Sequence, residues 1–418
     1  MLTKAPKGTS DILPSSAEKW QYAENKIREV CSHFGVREIR TPVFEHTELF
    51  SRGVGDTTDV VEKEMYTFND KGGRSITLRP EGTAGAARSF IENGLFNDSQ
   101  PTKLFYQISC YRYEKPQAGR MREFHQFGVE YFGTQSPCAD VEIIELAQTV
   151  LESFGLKNLK LHINSIGCPE CRKKYNEKLR EFLLENYDSL CDTCKSRFER
   201  NPMRIIDCKS PVCKEIVKGA PRLIDYLCEE CSEHFSSVRK MLENVGINYD
   251  IDPDIVRGLD YYTKTVFEIT ADIQSSNTTI CGGGRYDGLV SELGGPEMPA
   301  CGFAIGMERL FLALESQNIN IDCKPSVDIY IGSMDDESLM FAQRLSHDLR
   351  LAGISAEYDK MGRGVKAQMK YANKIGARYS VIIGGDELSS KKAMLKNMAL
   401  GESCEIELDA QSIGNAIK

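Results

Sequence analysis

The chain has 418 residues and a formal net charge of -9. The length predicts about two or three domains, and the acidic charge excludes a protein that binds polyanions through its whole surface. An apolar N-terminal segment and an apolar run long enough to span a membrane are both lacking, which predicts a soluble, cytoplasmic protein. In that reducing compartment the 15 cysteines indicate metal binding or chemistry rather than disulfides.

Residues 1–167 mix helices with paired strands. Apolar spacing predicts helices at 15–34, 83–91 and 139–154, and strand-rich composition predicts strands at 38–45, 75–79, 103–109, 124–132 and 159–164. Paired strands outnumber strand–helix–strand alternations, so we expect an α+β domain around a largely antiparallel sheet.

The residue pattern of the sequence changes twice along the rest of the chain. Residues 168–250 show a Lys/Glu/Leu-rich helical pattern with close cysteine pairs, which predicts an inserted module. A strand at 264–270, a glycine-rich stretch at 281–284 with a turn at 282–286, a strand at 299–305 and a helix at 306–314 follow, then a linker at 317–325. Beyond it, strands at 327–331, 354–358 and 379–383 alternate with helices at 337–351 and 365–375, as in an α/β domain. The predicted division is 1–167 and 251–322 (catalytic domain), 168–250 (insertion) and 325–418 (α/β domain).

A charged hairpin is the most informative local feature. Arg112 and Glu114 end its first strand, Arg120 lies in the loop, and Phe124 opens the returning strand. Guanidinium groups pair bidentately with phosphate oxygens, and an aromatic ring stacks on a base. This combination suits a nucleoside triphosphate, whereas the simpler interpretation is a solvated hairpin with surface ion pairs.

Three other segments point to the same chemistry. They are Arg79–Thr83, Arg257–Tyr262 and Gly302–Leu310. Each alone could be a capped helix or a surface ion pair, but the four segments together indicate a nucleotide-dependent reaction. The sequence lacks a phosphate loop and a dinucleotide-binding glycine motif, so ATP would bind through arginines on a sheet.

These residues resemble a known family. Arg112, Glu114, Arg120 and Phe124, together with Gly306–Leu310, resemble the second and third motifs of class II aminoacyl-tRNA synthetases. Residues 257–262 and 283–288 are similar to the two histidine-specific motifs of the histidyl-tRNA synthetase family. The resemblance runs from Lys7-Gly8-Thr9 to the C-terminal domain. It implies an α+β catalytic domain on an antiparallel sheet with a helical insertion, followed by an α/β anticodon-binding domain.

The resemblance also implies an activity and partners. A histidine–tRNA ligase uses ATP and Mg²⁺ to convert L-histidine to histidyl-adenylate, transfers histidine to the 3′ end of its tRNA, and releases pyrophosphate and AMP. Pro42 matches the first motif's proline at a dimer interface, so a homodimer is expected.

Site residues carry over by position. Arg112 and Arg257 would be catalytic. The implied histidine-binding residues are Glu81, Gly82, Thr83, Arg112, Gln126, Glu130, Arg257, Tyr261, Tyr262 and Tyr286; those for ATP are Arg112, Glu114, Arg120, Phe124 and Arg309. Because a histidine carboxylate is ionised at neutral pH, adenylation needs alignment and charge stabilisation rather than a general base. Carboxylates suit an imidazole, whose two nitrogens can both donate.

The cysteine pairs of the insertion have the spacing of structural zinc ligands. They are Cys168/Cys171, Cys191/Cys194, Cys208/Cys213 and Cys228/Cys231. Zinc is one interpretation, with up to two ions, and buried thiols are the alternative. A cysteine-rich insertion departs from the general family pattern, so the resemblance assigns no metal here.

Two other functions account for part of the sequence. A non-catalytic regulatory paralogue of histidine biosynthesis would resemble the catalytic domain but lack the Arg257 motif and the C-terminal domain. A zinc-dependent nucleic-acid-binding protein would explain the cysteines and a basic patch at 360–378, but not the arginine hairpin. The basic patch, which we expect to bind tRNA, consists of Lys360, Arg363, Lys366, Lys370, Lys374 and Arg378.

Overall fold

The computed structural model describes residues 3–55, 58, 60–206, 208, 210–255, 257–273, 276–321 and 327–417. The chain forms two compact units, Met1–Ile321 and Asp322–Lys418. Within the described ranges, no helix is long and apolar enough to cross a membrane.

The first unit contains ten α-helices and eleven strands among its described residues. The helices are α1 Pro14–His33, α2 Thr47–Val54, α3 Thr83–Glu92, α4 Pro137–Ser153, α5 Pro169–Leu184, α6 Asp192–Arg200, α7 Pro211–Val217, α8 Glu229–Asn244, α9 Leu289–Glu292 and α10 Met307–Ser316. The strands are β1 Arg37–Glu38, β2 Phe44–His46, β3 Tyr66–Asn69, β4 Ser75–Leu78, β5 Thr102–Tyr111, β6 Glu123–Phe132, β7 Lys160–Ser165, β8 Asp250–Ile251, β9 Thr263–Ile273, β10 Ser276–Arg285 and β11 Ala300–Gly306. Short 3₁₀ turns at Leu95–Asn97, Tyr187–Ser189, Pro202–Ile205 and Leu223–Tyr226 and a π-helical turn at Val60–Glu64 complete it.

An eight-stranded sheet organises this unit. Its strand order is β1-β5-β6-β11-β10-β9-β7-β8. The two edge strands β1 and β8 pair in parallel with their neighbours, and all the other pairs are antiparallel. Strands β2, β4 and β3 form a smaller antiparallel sheet. The predicted α+β fold on a largely antiparallel sheet is therefore confirmed.

Two local predictions are wrong. The single strand expected at 38–45 is two short strands in different sheets, because Pro42 lies between them and cannot donate to a strand ladder. The turn expected at 282–286 is instead, as far as Arg285, the end of β10. A Cβ atom at Gly283 would clash with the carbonyl oxygen of Gly302 and with Phe303, so glycine there permits close strand packing rather than a turn.

Helices α1, α4 and α8 contribute to one core with the large sheet. Ile27 of α1, Ile144 of α4 and Phe127 of β6 are fully buried in it. Helix α8 adds Val238 and Leu242 to the same core. The last helix of the cysteine-rich segment therefore packs as part of the body that carries the sheet.

The rest of the insertion is helical, as predicted. Tyr175 and Leu179 of α5 and Cys194 of α6 share a second core with Tyr261 and Tyr262. The insertion thus packs beside the segment that precedes β9. This contact brings residues far apart in sequence next to the candidate site.

The second unit is an α/β domain, as predicted. Its elements are β12 Ile329–Ser333, α11 Asp336–Leu351, β13 Ala356–Tyr358, α12 Val365–Lys374, β14 Tyr379–Ile383, α13 Gly385–Ser390, β15 Lys392–Asn397, β16 Ser403–Glu407 and α14 Ala410–Ile417. The sheet order is β13-β12-β14-β15-β16. Strand β12 pairs in parallel with β13 and β14, whereas the β14–β15 and β15–β16 pairs are antiparallel. The sequence did not predict the four elements after β14.

The described part of the predicted linker, residues 317–321, packs as part of the first unit. The Lys157 backbone N–H donates to the Gln317 side chain at 2.9 Å, and Ile319 and Ile321 pack on the main core. The rest of the predicted linker, from residue 322, lies outside the described residues.

Candidate active site

A cavity of about 940 Å³ lies over the face of the large sheet formed by β6, β9, β10 and β11. The predicted histidine- and ATP-binding side chains come together there. Its lining includes Glu81, Thr83, Arg112, Glu114, Arg120, Phe124, Gln126, Arg257, Tyr261, Tyr262, Tyr286 and Arg309. Gly82 and Glu130 belong to the predicted set but do not line the cavity.

The start of α3 holds a carboxylate at the cavity wall. The backbone N–H groups of Thr83 and Ala84 donate to the two Glu81 carboxylate oxygens at 2.6 and 2.9 Å. The Glu81 side chain therefore caps α3, and the same two hydrogen bonds fix its position. Burial raises the pKa of the Glu81 carboxyl, although these hydrogen bonds oppose the shift.

Glu130 lies behind the wall, in a network of hydroxyl groups. Thr83 Oγ1 and Tyr106 Oη each donate to Glu130 Oε1 at 2.8 Å, and the Tyr286 hydroxyl donates to Oε2. Only 1% of Glu130 is exposed, and burial raises its pKa to about 8. A Cβ atom at Gly302 would clash with this carboxylate. Glu130 thus orients Thr83 and Tyr286, whose side chains do face the cavity.

Gln126 connects the sheet to the α3 start. Its Oε1 accepts the Gly82 backbone N–H at 3.1 Å, which leaves its amide N–H₂ group available as a donor. Tyr106 packs against Gly82 and Gly128 so closely that a Cβ atom at either glycine would overlap its ring. The two glycines therefore let the tyrosine reach Glu130.

The arginine hairpin forms the other end of the cavity. Arg112 Nε donates to the Pro80 carbonyl at 2.8 Å, and its guanidinium lies 5.3 Å from the centre of the Phe124 ring. Glu114 lies between two arginines, 3.9 Å from Arg112 and 3.8 Å from Arg120. These distances leave guanidinium N–H groups available for an anionic ligand.

Arg309 approaches the hairpin from the first turn of α10. Its Nη1 donates to the Thr279 carbonyl at 2.7 Å. Burial lowers the pKa of Arg309, and the positive charges of Arg120 and Arg112 lower it further. Three mutually repelling arginines around one cavity favour a polyanion such as a triphosphate.

Arg257 lies between the two ends. Its guanidinium pairs with Glu268, stands 5.6 Å from the Tyr262 ring centre and lies directly above Gly282, where a Cβ atom would overlap it. Within the described residues its buried Nε has no hydrogen-bond partner. Burial disfavours its charge, but Tyr262 and Glu268 outweigh that effect and raise the pKa. Arg257 therefore carries a fixed positive charge, and its buried Nε donor has no partner among the described residues.

The sequence did not reveal four polar residues that support the site. Tyr106 on β5 donates to Glu130 on the neighbouring β6, and Glu268 on β9 pairs with Arg257 in the segment before that strand. Glu308 accepts the His125 backbone N–H at 2.9 Å, which ties α10 to β6. A detectable signal existed for the first two, because each interrupts an apolar strand with a polar group. The fourth residue, Arg204, had none, because its partners lie more than fifty residues away.

Arg204 joins the insertion to the segment that carries Arg257. Its Nε donates to Asp260 Oδ1 at 3.1 Å, and its Nη2 donates to the Gly258 carbonyl at 2.7 Å. The side chain is 8% exposed. Both acceptors lie between Arg257 and Tyr261, so the insertion contacts the loop that bears the predicted catalytic arginine.

The eight cysteines of the insertion form two clusters of four. The outer cluster is Cys168, Cys171, Cys228 and Cys231, and the inner cluster is Cys191, Cys194, Cys208 and Cys213. All sulfur atoms within a cluster lie within 4.8 Å of one another. The sequence predicted the ligand set but not this pairing.

The sulfur geometry fits zinc. In a tetrahedral site with Zn–S bonds of about 2.3 Å, neighbouring sulfurs stand about 3.8 Å apart. The Cys168 sulfur lies 3.6 Å from that of Cys171 and 3.9 Å from that of Cys228, and the Cys191–Cys208 separation is 3.8 Å. Backbone N–H groups also donate to three of the sulfurs, an arrangement that suits thiolates bound to a metal.

The basic patch of the second unit is partly neutralised. Lys366, Lys370 and Lys374 are exposed and share one face of α12 at four-residue spacing. The other three pair with carboxylates: Lys360 with Glu357, Arg363 with Asp359 and Arg378 with Asp328. The exposed α12 lysines are thus the part of the patch that can bind phosphates.

The large antiparallel sheet presents arginines beside a polar, tyrosine-lined pocket, and the chain has a separate α/β unit. This combination defines a class II aminoacyl-tRNA synthetase. Comparison with known proteins narrows this class. Residues 8–175 and 213–310 match the family model of histidyl-tRNA synthetase, and residues 327–412 match that of the anticodon-binding domain. The chain belongs to the histidyl-tRNA synthetase family.

Similar proteins cover the whole chain. A histidine–tRNA ligase of Clostridium perfringens is 58% identical over 419 residues, and one of Caldanaerobacter subterraneus is 56% identical over 418, each covering 100% of both chains. The crystal structure of an apo histidyl-tRNA synthetase from S. aureus is 42% identical, with a TM-score of 0.86 and 100% coverage of both chains. The family model leaves out residues 176–212, which contain three cysteines of the inner cluster.

Proposed function

We propose that the chain is a histidine–tRNA ligase whose cavity binds histidine at the Glu81 end and ATP at the arginine end. The observation that supports this most directly is the convergence of both predicted residue sets on one cavity, in a member of the histidyl-tRNA synthetase family. The reaction is adenylation of L-histidine, followed by transfer of histidine to the 3′ end of its tRNA with release of AMP.

The histidine side chain would lie against the α3 start. Glu81, Gln126 and the hydroxyls of Thr83 and Tyr286 offer acceptors and donors for the two imidazole nitrogens. Glu130 acts from behind by orienting the hydroxyls of Thr83 and Tyr286. An isosteric side chain that lacked the imidazole nitrogens would leave these buried groups unpaired, which provides selectivity without an editing site.

ATP would lie along the hairpin. Phe124 and Arg309 would sandwich the adenine ring, and Arg112, Glu114 and Arg120 would hold the ribose-phosphate portion. The family uses Mg²⁺ with ATP, and this ion would neutralise the leaving pyrophosphate. None of the described residues is proposed as a Mg²⁺ ligand.

Arg257 and Arg112 would stabilise the reacting centre. A histidine carboxylate oxygen attacks the α-phosphorus, the bond from that phosphorus to the bridging oxygen breaks, and pyrophosphate leaves. Negative charge grows on the α-phosphate oxygens as phosphorus becomes five-coordinate, so preorganised cations lower the barrier. Arg257, which lines the cavity and is held by Glu268 and Tyr262, is suited to that task.

Further proposals concern assembly and location. Exposed apolar side chains adjoin Pro42: Val43 is 43% exposed and Phe44 is 55% exposed. Such a pair beside the motif expected at a dimer interface supports a homodimer. A tRNA-charging enzyme of this kind would act in the cytoplasm, with residues 325–418 as its anticodon-binding domain and the 168–250 insertion as an accessory module.

We also propose that the insertion binds structural zinc through its eight clustered cysteines. Four thiolates per ion at tetrahedral separations would close both coordination shells. Such closed sites serve folding rather than catalysis, so zinc would take no part in the adenylation step.

The deciding experiment is exchange of labelled pyrophosphate into ATP, run separately with each standard amino acid. Exchange that depends on histidine alone, followed by formation of histidyl-tRNA, is the expected result. The regulatory paralogue is not favoured, because the chain contains Arg257 and a C-terminal domain that matches the anticodon-binding family model. That alternative predicts no exchange with any amino acid.

A further inference from the structure

Arg204 ties the inner cysteine cluster to the candidate active site. It lies in the 3₁₀ turn Pro202–Ile205, between the cluster ligands Cys194 and Cys208. Cys191 and Cys208 themselves line the catalytic cavity. The inner cluster is therefore part of the wall of the active site and not a remote feature of the insertion.

We propose that a zinc ion in the inner cluster positions Arg204, and that Arg204 in turn positions the 257–262 loop for histidine adenylation. This proposal rests on the proposed function and extends it to a residue and a metal site that the family resemblance does not assign. Zinc supplies the structural constraint, and Arg204 is a positioning residue because it contacts the loop rather than the substrate.

The first step of the argument concerns the segment between the ligands. Residues 194–208 are anchored at both ends by the inner cluster, which restricts the conformations of the turn that bears Arg204. Arg197 of α6 adds a bond inside this segment, because its Nη1 donates to the Arg204 carbonyl at 3.0 Å. The four-cysteine site and this hydrogen bond together hold the Arg204 backbone in place.

The second step concerns the loop. The Arg204 guanidinium holds Gly258 and Asp260, one residue after Arg257 and one before Tyr261. Asn201 Nδ2 donates to the same Asp260 oxygen at 3.3 Å, and the Asp260 N–H donates to the Val54 carbonyl at 3.2 Å. The loop is thus held from the insertion on one side and from α2 on the other.

The third step concerns which substrate depends on this contact. The loop carries Arg257, Tyr261 and Tyr262, which belong to the proposed histidine side of the cavity. The proposed ATP residues lie on the hairpin and α10, where the described part of the chain shows no hydrogen bond from Arg204. Loss of the contact should therefore weaken histidine use while ATP use changes little.

Metal content is the first measurement, because it does not depend on activity. The full chain, purified in reducing buffer without added metal, should hold about two equivalents of zinc, one per cluster. Cys194→Ser should lose about one equivalent, and Arg204→Ala and the exposed Cys138→Ser control should lose none. Cobalt exchanged into the protein should show the absorption of tetrahedral thiolate coordination, at about half intensity in Cys194→Ser.

Kinetics supply the second measurement. In histidine-dependent pyrophosphate exchange, Arg204→Ala should raise the KM for histidine about tenfold or more while the KM for ATP stays within about threefold. Arg204→Lys, which can still donate to one of the two acceptors, should recover part of the loss. Arg180 is the matched control, since among the described residues it donates to the Phe198 and Glu199 carbonyls, both within the insertion. Arg180→Ala should keep the histidine KM.

The double variant separates coupling from general damage. If zinc acts through Arg204, Cys194→Ser combined with Arg204→Ala should be no worse than the stronger single variant. Effects that multiply would overturn the proposal, as would zinc below about 0.2 equivalent in the wild-type chain or an unchanged histidine KM in Arg204→Ala. Absence of histidine-dependent exchange in the wild-type chain would instead refute the proposed function and leave the metal count to stand.

Discussion

Replacing Arg257 with alanine tests the centre of the proposed mechanism. The substitution removes a guanidinium that pairs with Glu268 at the cavity wall. It removes nothing from the hairpin that is proposed to bind ATP. We therefore expect slow adenylation with little change in ATP affinity.

The expected size follows from the contacts. Removal of one preorganised charge donor costs about 10²-fold in rate or more, equivalent to about 2.7 kcal/mol of barrier. The stability cost should be about 1 kcal/mol, since the pair is only partly buried. Arg257 is 20% exposed and Glu268 24%, and Thr279 Oγ1 still donates to Glu268 at 2.7 Å after the change. The rate should thus fall far more than the stability.

Single-turnover formation of histidyl-adenylate is the appropriate assay, with ATP affinity measured separately. Arg28→Ala is a suitable control, because Arg28 also pairs with a carboxylate, Glu38 at 3.2 Å, is 34% exposed and does not line the cavity. Arg257→Lys should fall between the wild type and Arg257→Ala, since an ammonium keeps the charge but not the fork geometry.

Two results would refute the reasoning. Adenylation within about threefold of the wild-type rate in Arg257→Ala would remove this residue from the mechanism. A matching loss in the Arg28→Ala control would show that the assay reports general destabilisation rather than a missing charge.

Three other predictions concern the basic patch, proposed to bind tRNA, and the buried network. Replacing Lys366 and Lys370 with alanine should weaken tRNA binding and lower its salt dependence by about two counterions, while pyrophosphate exchange continues unchanged. Filter binding across salt concentrations measures this. A tRNA affinity equal to that of the wild type, or an equal loss in Lys19→Ala on α1, would refute this role. Glu130→Gln should alter the pH dependence of stability: burial raises the Glu130 pKa from 4.5 to about 8, so the folded wild type keeps a proton that the unfolded chain loses, and its stability falls as the pH rises from about 4.5 to about 8. The glutamine variant lacks this fall, so its Tm relative to wild type should increase with pH, and parallel Tm curves would contradict the assignment. Gly302→Ala should cost about 1–3 kcal/mol in denaturant unfolding, because its Cβ would overlap the Glu130 carboxylate and the Tyr286 hydroxyl; wild-type stability would show that the network has room to move.

Much of the fold was readable from the sequence because the relevant signals are local. Strand composition and turn residues predicted the hairpin that became β5 and β6, and apolar spacing predicted α1 and α4 within one or two residues. Pro42 shows where this approach failed. A short apolar stretch interrupted by a proline resembles one strand in sequence, but the missing N–H divides it between two sheets.

The residue types of the site were also determined by the sequence, because arginines, carboxylates and close cysteine pairs keep their chemistry in any context. Their arrangement was decided by the tertiary structure. Only packing shows that Glu130 lies behind the cavity under Gly302, and that Arg204 reaches across the chain to Asp260. Such contacts depend on which strands and helices become neighbours.

The cysteines show the same division most simply. Four close pairs are visible in the sequence, yet those pairs can combine into two groups of four in three ways. The approach of the α5 and α8 starts joins the first pair to the last, which leaves the two middle pairs to each other. Sequence spacing specifies ligands a few residues apart, whereas the long-range pairing is decided by the tertiary structure, which brings the starts of α5 and α8 together.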